Sequence, residues 1–171
     1  MKRNIKIIII TILVLLICNS FTLVKTHDRN KSYQLPIALK QQVTKESKGM
    51  NEAQIIDYSL KLTAQKLQFD TRNDIAHGKA NCVGYAQLCS AICNQALKSN
   101  GYTCRAKPVV GYIRDCGVNL CDVLKSIAPN QRWQNFVKNH DFVELSYKGK
   151  VYYFDPSIYD VLGNKCLTVK Q

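Results

Sequence analysis

Between Asn51 and Gly101 the apolar residues recur with a helical period. Ile55, Ile56, Leu60, Leu62, Ala64, Leu67 and Phe69 follow an opening Asn51-Glu52-Ala53-Gln54. An asparagine with a glutamine three residues later is a capping-box signature, so the spacing predicts an amphipathic helix over about 52–69. Asp70-Thr71-Arg72-Asn73-Asp74 ends it. A second helical pattern opens at Cys82 with Asn81 as its cap. Tyr85, Ala86, Cys89, Ile92, Cys93, Ala96 and Leu97 return to the side of Cys82 at steps of three and four, and Val83 and Leu88 add apolar weight nearby. A helix apolar over so much of its girth has to be buried by its neighbours. Asn100-Gly101 stops it, with Gly101 in the left-handed position past the last turn.

After Gly101 the period changes from helix to strand. Val109, Val110, Tyr112 and Ile113 mark a strand within 105–114. Two further strand patterns, 141–147 and 151–155, flank Lys148-Gly149 and read as a hairpin. The stretch 116–137 is ambiguous, with a helix candidate at 133–137, and 161–169 is a candidate last strand. Residues 25–50 are polar and mixed, with Pro36 and Gly49, and read as a linker and a short irregular or helical lead-in. Helices come first and strands second. The class this implies is α+β, a central cysteine-bearing helix packed on an antiparallel sheet formed within 51–171.

The N-terminus adds a compartment. Met1-Lys2-Arg3-Asn4-Ile5-Lys6 is basic, and Ile7 to Cys18 carries no charge, the layout of a secretory signal. Cys18-Asn19-Ser20 supplies small residues for cleavage, whereas retention of residues 5–24 would tether the chain to a membrane. Residues 1–24 are thus a signal peptide or an N-terminal anchor. Either fate puts the folded part outside the cytoplasm, because the basic end stays inside. The roughly 145 residues that remain suit one domain.

Charge narrows the partners. The whole chain carries +12, and removing Lys2, Arg3 and Lys6 leaves +9. A basic domain favours anionic partners, including acidic peptides. The lysines are scattered and form no dense basic helix, which argues against nucleic acid.

Eight cysteines bring candidate chemistry: Cys18, Cys82, Cys89, Cys93, Cys104, Cys116, Cys121 and Cys166. With Cys18 in the leader, seven remain, and an odd count in an exported protein points to a reactive thiol. Setting Cys82 aside leaves six for disulfides. Cys116 with Cys121 would close a short loop, and Cys104 and Cys166 are candidate partners for Cys89 and Cys93. Two alternatives stand beside these bridges. One is a four-thiolate zinc site from Cys89, Cys93, Cys116 and Cys121. The other is a set of reduced, buried thiols.

Cys82 is the candidate nucleophile because a thiol attacks as thiolate, and the first turn of a helix favours an anion through its unpaired N–H groups. His140 and Asp155 can serve it. If Tyr147 opposes Lys150 across the hairpin, Asp155 opposes Phe142 and lies diagonal to His140 on the same face. The carboxylate would then orient the ring that acts as base. His77, five residues before Cys82, is the second histidine considered, ranked below His140.

These residues carry a resemblance. The order Asn81-Cys82-Val83-Gly84-Tyr85-Ala86, then Gly101-Tyr102 with Arg105-Ala106 and Gly111-Tyr112, then His140-Asp141-Phe142-Val143-Glu144-Leu145 and Val151-Tyr152-Tyr153-Phe154-Asp155-Pro156-Ser157 resembles the transglutaminase-like superfamily of cysteine enzymes with a papain-like core. The likeness spans roughly 52–158. It implies Cys82 as nucleophile, His140 as base and Asp155 as the orienting residue. Phe142 stands where the family often has tryptophan. The family's oxyanion hole pairs the cysteine's own N–H with an upstream donor, for which Asn81, Asn73 and Gln68 are candidates. The function implied is an exported thiol acyl-transfer enzyme acting on peptide or carboxamide bonds, with hydrolysis favoured over transamidation and no cofactor or metal. The alternatives are an inactive binding module on the same fold, stabilised by disulfides, and a small disulfide-rich basic protein that binds anionic surfaces.

Overall fold

The computed structural model describes residues 21–115, 118–119, 122 and 139–170. In chain order they form β1 (Thr22–Asp28), α1 (Ile37–Glu46), α2 (Glu52–Lys66), β2 (Gln68–Phe69), a 3-10 turn (Ile75–His77), β3 (Lys79–Ala80), α3 (Cys82–Ser99), β4 (Ala106–Asp115), β5 (Val118–Asn119), β6 (His140–Tyr147), β7 (Lys150–Phe154), α4 (Pro156–Leu162) and β8 (Thr168–Lys170). The four described helices and an antiparallel sheet give the α+β class that the pattern implied.

The capping box at Asn51 is formed: its side chain accepts from the Gln54 N–H, and the Gln54 side chain accepts from the Asn51 N–H. The helix it starts is shorter than its apolar pattern. Leu67 turns extended, and Gln68 and Phe69 pair in parallel with Lys79 and Ala80. The last apolar residue of the periodic run, Phe69, is therefore a half-exposed strand residue, not a helical one.

α3 is the centre of the molecule. Asn81 caps it, its side-chain oxygen accepting the Val83 N–H at 3.1 Å. α2 packs on one side of it, and β4 and β6 on the other. Tyr85, Ala86, Cys89, Ile92, Cys93 and Ala96 are all fully buried in the core this makes, together with Ile55, Leu60, Val143, Leu145 and Phe154. Each large apolar side chain so enclosed contributes on the order of 1.5–3 kcal/mol. The Cys82 end of the helix is thus fixed to the sheet before any chemistry is considered.

The sheet order is β1-β4-β6-β7-β8, with β5 added to β4. Its other face holds a smaller core of Leu23, Val109, Phe142, Tyr153 and Cys166. The hairpin register is the one inferred above: Tyr147 opposes Lys150 and Val143 opposes Phe154. Lys148 and Gly149 both take positive φ, 47° and 74°. Two such residues give the turn whose twist matches the strands it joins.

The sequence pattern misplaces two segments. Residues 22–24, grouped with the leader, and 25–28, grouped with the lead-in, form β1 and pair with β4. Leu23 of β1 and Val43 of α1 are fully buried. The folded body therefore includes the stretch that reads as linker. Its strand signal is hidden because Thr22-Leu23-Val24 continues the apolar run of the leader. β1 lies so near β4 that a Cβ on Gly111 would fall 2.0 Å from the Val24 carbonyl oxygen. At the other end, 161–169 is not one strand. Asp155-Pro156 starts α4, Gly163 ends it in the left-handed region, and only Thr168–Lys170 joins the sheet. A proline at the first helical position explains this, since its fixed φ and missing N–H suit a helix start.

Cys82, Cys89, Cys93 and Cys104 are thiols without a disulfide. Burial pushes the Cys89 thiol well up and that of Cys93 up to about 12. Both behave as small core residues, the reduced alternative rather than the bridged one. Cys116, Cys121 and the helix candidate at 133–137 lie outside the described residues, as does 1–20 of the leader. Among the described residues no helix is long and apolar enough to cross a membrane.

Candidate active site

Three element ends converge. Cys82 is the first residue of α3, His140 the first of β6, and Asp155 the N-cap of α4. His140 Nε2 is hydrogen-bonded to Asp155 Oδ2. The Cys82 side chain lies close enough to the ring to help raise its pKa. Since Nε2 is taken by the carboxylate, Nδ1 is the nitrogen left to the thiol. The carboxylate is fully buried, the imidazole 16% exposed and Cys82 5% exposed.

The aspartate before proline has two tasks, one for each oxygen. Oδ1 accepts the Ser157 N–H at 2.9 Å, the Ser157 hydroxyl at 2.8 Å and the Ile158 N–H at 3.1 Å. Oδ2 is left for His140. The helix start thus holds the carboxylate rigid while one oxygen faces the ring. The helix cap and the contact with His140 are one arrangement. Tyr85 reinforces it, its hydroxyl donating to Asp160 at 2.5 Å and tying α3 to α4.

The electrostatics follow from this packing. Burial by itself would lower the imidazole pKa, but the Asp155 charge, its hydrogen bond and the Cys82 side chain outweigh that and hold it well above its ordinary value. Burial would raise the Asp155 carboxyl; the His140 charge and hydrogen bond, with the Ile158 N–H and the Ser157 hydroxyl, hold it below the usual range instead. A raised imidazole favours the protonated ring, and an imidazolium is the kind of partner a thiolate pairs with.

A stability profile follows. The contribution of His140 is complete below its ordinary value of 6.5 and is lost as pH climbs through the raised folded value. That of Asp155 is complete above its ordinary value of 3.8 and is lost as pH falls through the depressed folded value. Urea unfolding of wild type and His140→Gln should therefore differ most between pH 3.8 and 6.5. The expected gap is about 1.5–3 kcal/mol, as for a hydrogen bond to a charged group. It should shrink as pH climbs through the raised folded value.

Two residues at the site are missed by the sequence pattern. Arg29 grips the buried Asp141 with both ends of its fork, Nε to Oδ2 at 2.7 Å and an Nη to Oδ1 at 2.6 Å. This pair clamps the end of β1 to the start of β6, next to His140. Arg29 falls in the stretch that reads as linker. Asp141 was within reach of inference, since a carboxylate on the buried face of a strand demands a cation.

The upstream donor candidates separate. Asn81 is occupied with the cap, and its amide nitrogen reaches the Thr71 carbonyl at 3.4 Å. Gln68 is exposed in the β2 ribbon. Asn73 lies against the first turn of α3, where a Cβ on Gly84 would sit 2.0 Å from its Oδ1. Gly84 is what lets that amide approach. His77 is elsewhere, an exposed ring bonded to Asp74 at 2.9 Å. Among the described residues no cluster of histidine, cysteine and carboxylate side chains is arranged to hold a metal.

A thiol, an imidazole and a buried carboxylate in this order can move the thiol proton onto the ring, hold it there as imidazolium and return it to a leaving group. No family model, no curated protein and no solved structure matches this chain.

Proposed function

We propose that the protein is an exported thiol acyl-transfer enzyme that acts on peptide or carboxamide bonds. The observation that carries this reading is the linked set Cys82, His140 and Asp155, with the aspartate fixed as a helix cap. Cys82 attacks the carbonyl carbon and forms a tetrahedral intermediate. The Cys82 N–H, at the first turn of α3, donates to the developing oxyanion, and the Asn73 amide is assigned as the second donor. His140 gives its proton to the leaving amine, and a thioester remains on Cys82. Water, activated by His140, then attacks the thioester and releases the acid. An amine at that stage would give transamidation, and hydrolysis is favoured. The finer architecture that accompanies this reading is the papain-like, transglutaminase-type core, with α3 as its cysteine helix.

The test is to trap the covalent intermediate. Brief incubation with glutamine-containing peptides, acid quenching and peptide mapping should place a hydroxylamine-sensitive acyl adduct on Cys82. Cys82→Ser with unchanged circular dichroism should carry no such thioester. An adduct on another cysteine, or none with any peptide, counts against the proposal.

A further inference from the structure

A groove of about 960 Å³ runs beside α3, away from the triad. One wall is the connector that leaves β1, another is the flank of α3 from Ser90 to Lys98, and the third is the loop entering β4. Six cations line it, against a single acid, Asp28. Two of the six are already committed. Arg29 holds Asp141, and Lys107 lies 2.9 Å from Asp28 and 3.2 Å from Glu144. Asp28 is neutralised twice, since Lys25 also reaches it at 2.6 Å. Lys31, Lys40, Lys98 and Arg105 have no carboxylate partner among the described residues.

Two amides on the α3 wall of the groove are satisfied from within. Asn94 exchanges hydrogen bonds with the Ala106 backbone at 2.7 and 2.8 Å, and Gln95 donates to Thr44 at 2.7 Å. What distinguishes the groove is its positive charge. Four like charges around one concavity repel each other, and an anion laid among them relieves that.

We propose that this groove binds the acidic flank of an extended peptide whose amide is presented to Cys82. The inference rests on the enzymatic reading above and names its substrate class. Arg29 joins the two places, bordering the groove while it holds Asp141, the neighbour of His140. The lengths agree. Ser90 lies about 12 Å and Lys98 about 24 Å along α3 from Cys82, at ~1.5 Å per residue. An extended peptide rises ~3.3 Å per residue, so carboxylates roughly four to seven residues from the reacting amide fall in the groove.

The experiment separates binding from turnover. Cys82→Ser protein is titrated against a fluorescein-labelled dodecapeptide bearing one glutamine and, four residues on, a run of four glutamates. A second peptide has glutamines in place of the glutamates. Anisotropy should show the acidic peptide binding at least tenfold tighter. Lys98→Glu with Arg105→Glu should erase that preference, and Lys45→Glu with Lys66→Glu, exposed cations off the groove, should keep it. If an oligothymidylate of equal charge binds as tightly, or the off-groove pair loses the preference equally, the surface is a non-specific polyanion binder and the proposal is overturned. Turnover by the wild type is read in parallel. Cleavage without preference for the acidic peptide sinks the groove and leaves the enzyme. Selective binding with no turnover sinks the enzyme and leaves the ligand class.

Discussion

Asp155→Asn should lower turnover at pH 7 by about 10³–10⁴-fold while costing only about 1–2 kcal/mol of stability. The reason is the division of labour between the two oxygens. Oδ1 is held by the Ser157 N–H, the Ser157 hydroxyl and the Ile158 N–H. Asparagine caps a helix about as well as aspartate, so the side-chain oxygen of the variant stays with these donors. Its NH₂ group must then face Nε2 of His140 and donate to it. That forces the ring proton onto Nδ1, the nitrogen that has to receive the thiol proton. The base is lost through its tautomer although every atom remains in place. Asp155→Ala should be equally inactive and should also lose about 3–5 kcal/mol, since it removes one member of a buried pair together with the cap. Steady-state rates with urea midpoints for both variants make the comparison. A fully active Asp155→Asn would show that the carboxylate only caps α4.

His140→Ala should be the second severe lesion, with turnover down by about 10²–10⁴-fold, the span associated with general acid–base catalysis. Two effects combine. The thiol loses its proton acceptor, and the leaving amine loses its proton donor. Asp155 Oδ2 is left buried without the ring, so a stability loss of about 1–3 kcal/mol is expected as well. His77→Ala provides the contrast. That ring is exposed and pairs with Asp74, so turnover should change by less than twofold while the fold is unaffected.

The helix-bearing half of the fold was readable because its signals are local. Asn51 with Gln54, and Asn81 with the apolar side of α3, announce their helices within a few residues. The hairpin was readable for the same reason, and its register alone brings His140 and Asp155 to one face. The segments misread owe their structure to distant partners. β1 is a strand because β4 offers it an edge some 85 residues away, and Leu67 leaves α2 because the next two residues pair with Lys79 and Ala80. Arg29 is the clearest loss. Its role depends on Asp141, 112 positions along the chain, and nothing near Arg29 reports that contact. The double duty of Asp155 lay between these cases. Asp-Pro-Ser is a visible helix start, but that one oxygen remains over for a histidine is a fact of three dimensions.

The measurement that bears most directly on the central claim is the alkylation of native protein by iodoacetamide at pH 7, with each cysteine resolved by mass spectrometry. Cys82 should label first, ahead of the more exposed Cys104 and the core thiols Cys89 and Cys93, and its rate should fall at least tenfold in His140→Ala. A Cys82 that labels no faster in wild type than in His140→Ala, or later than Cys104, would contradict a sulfur activated by His140.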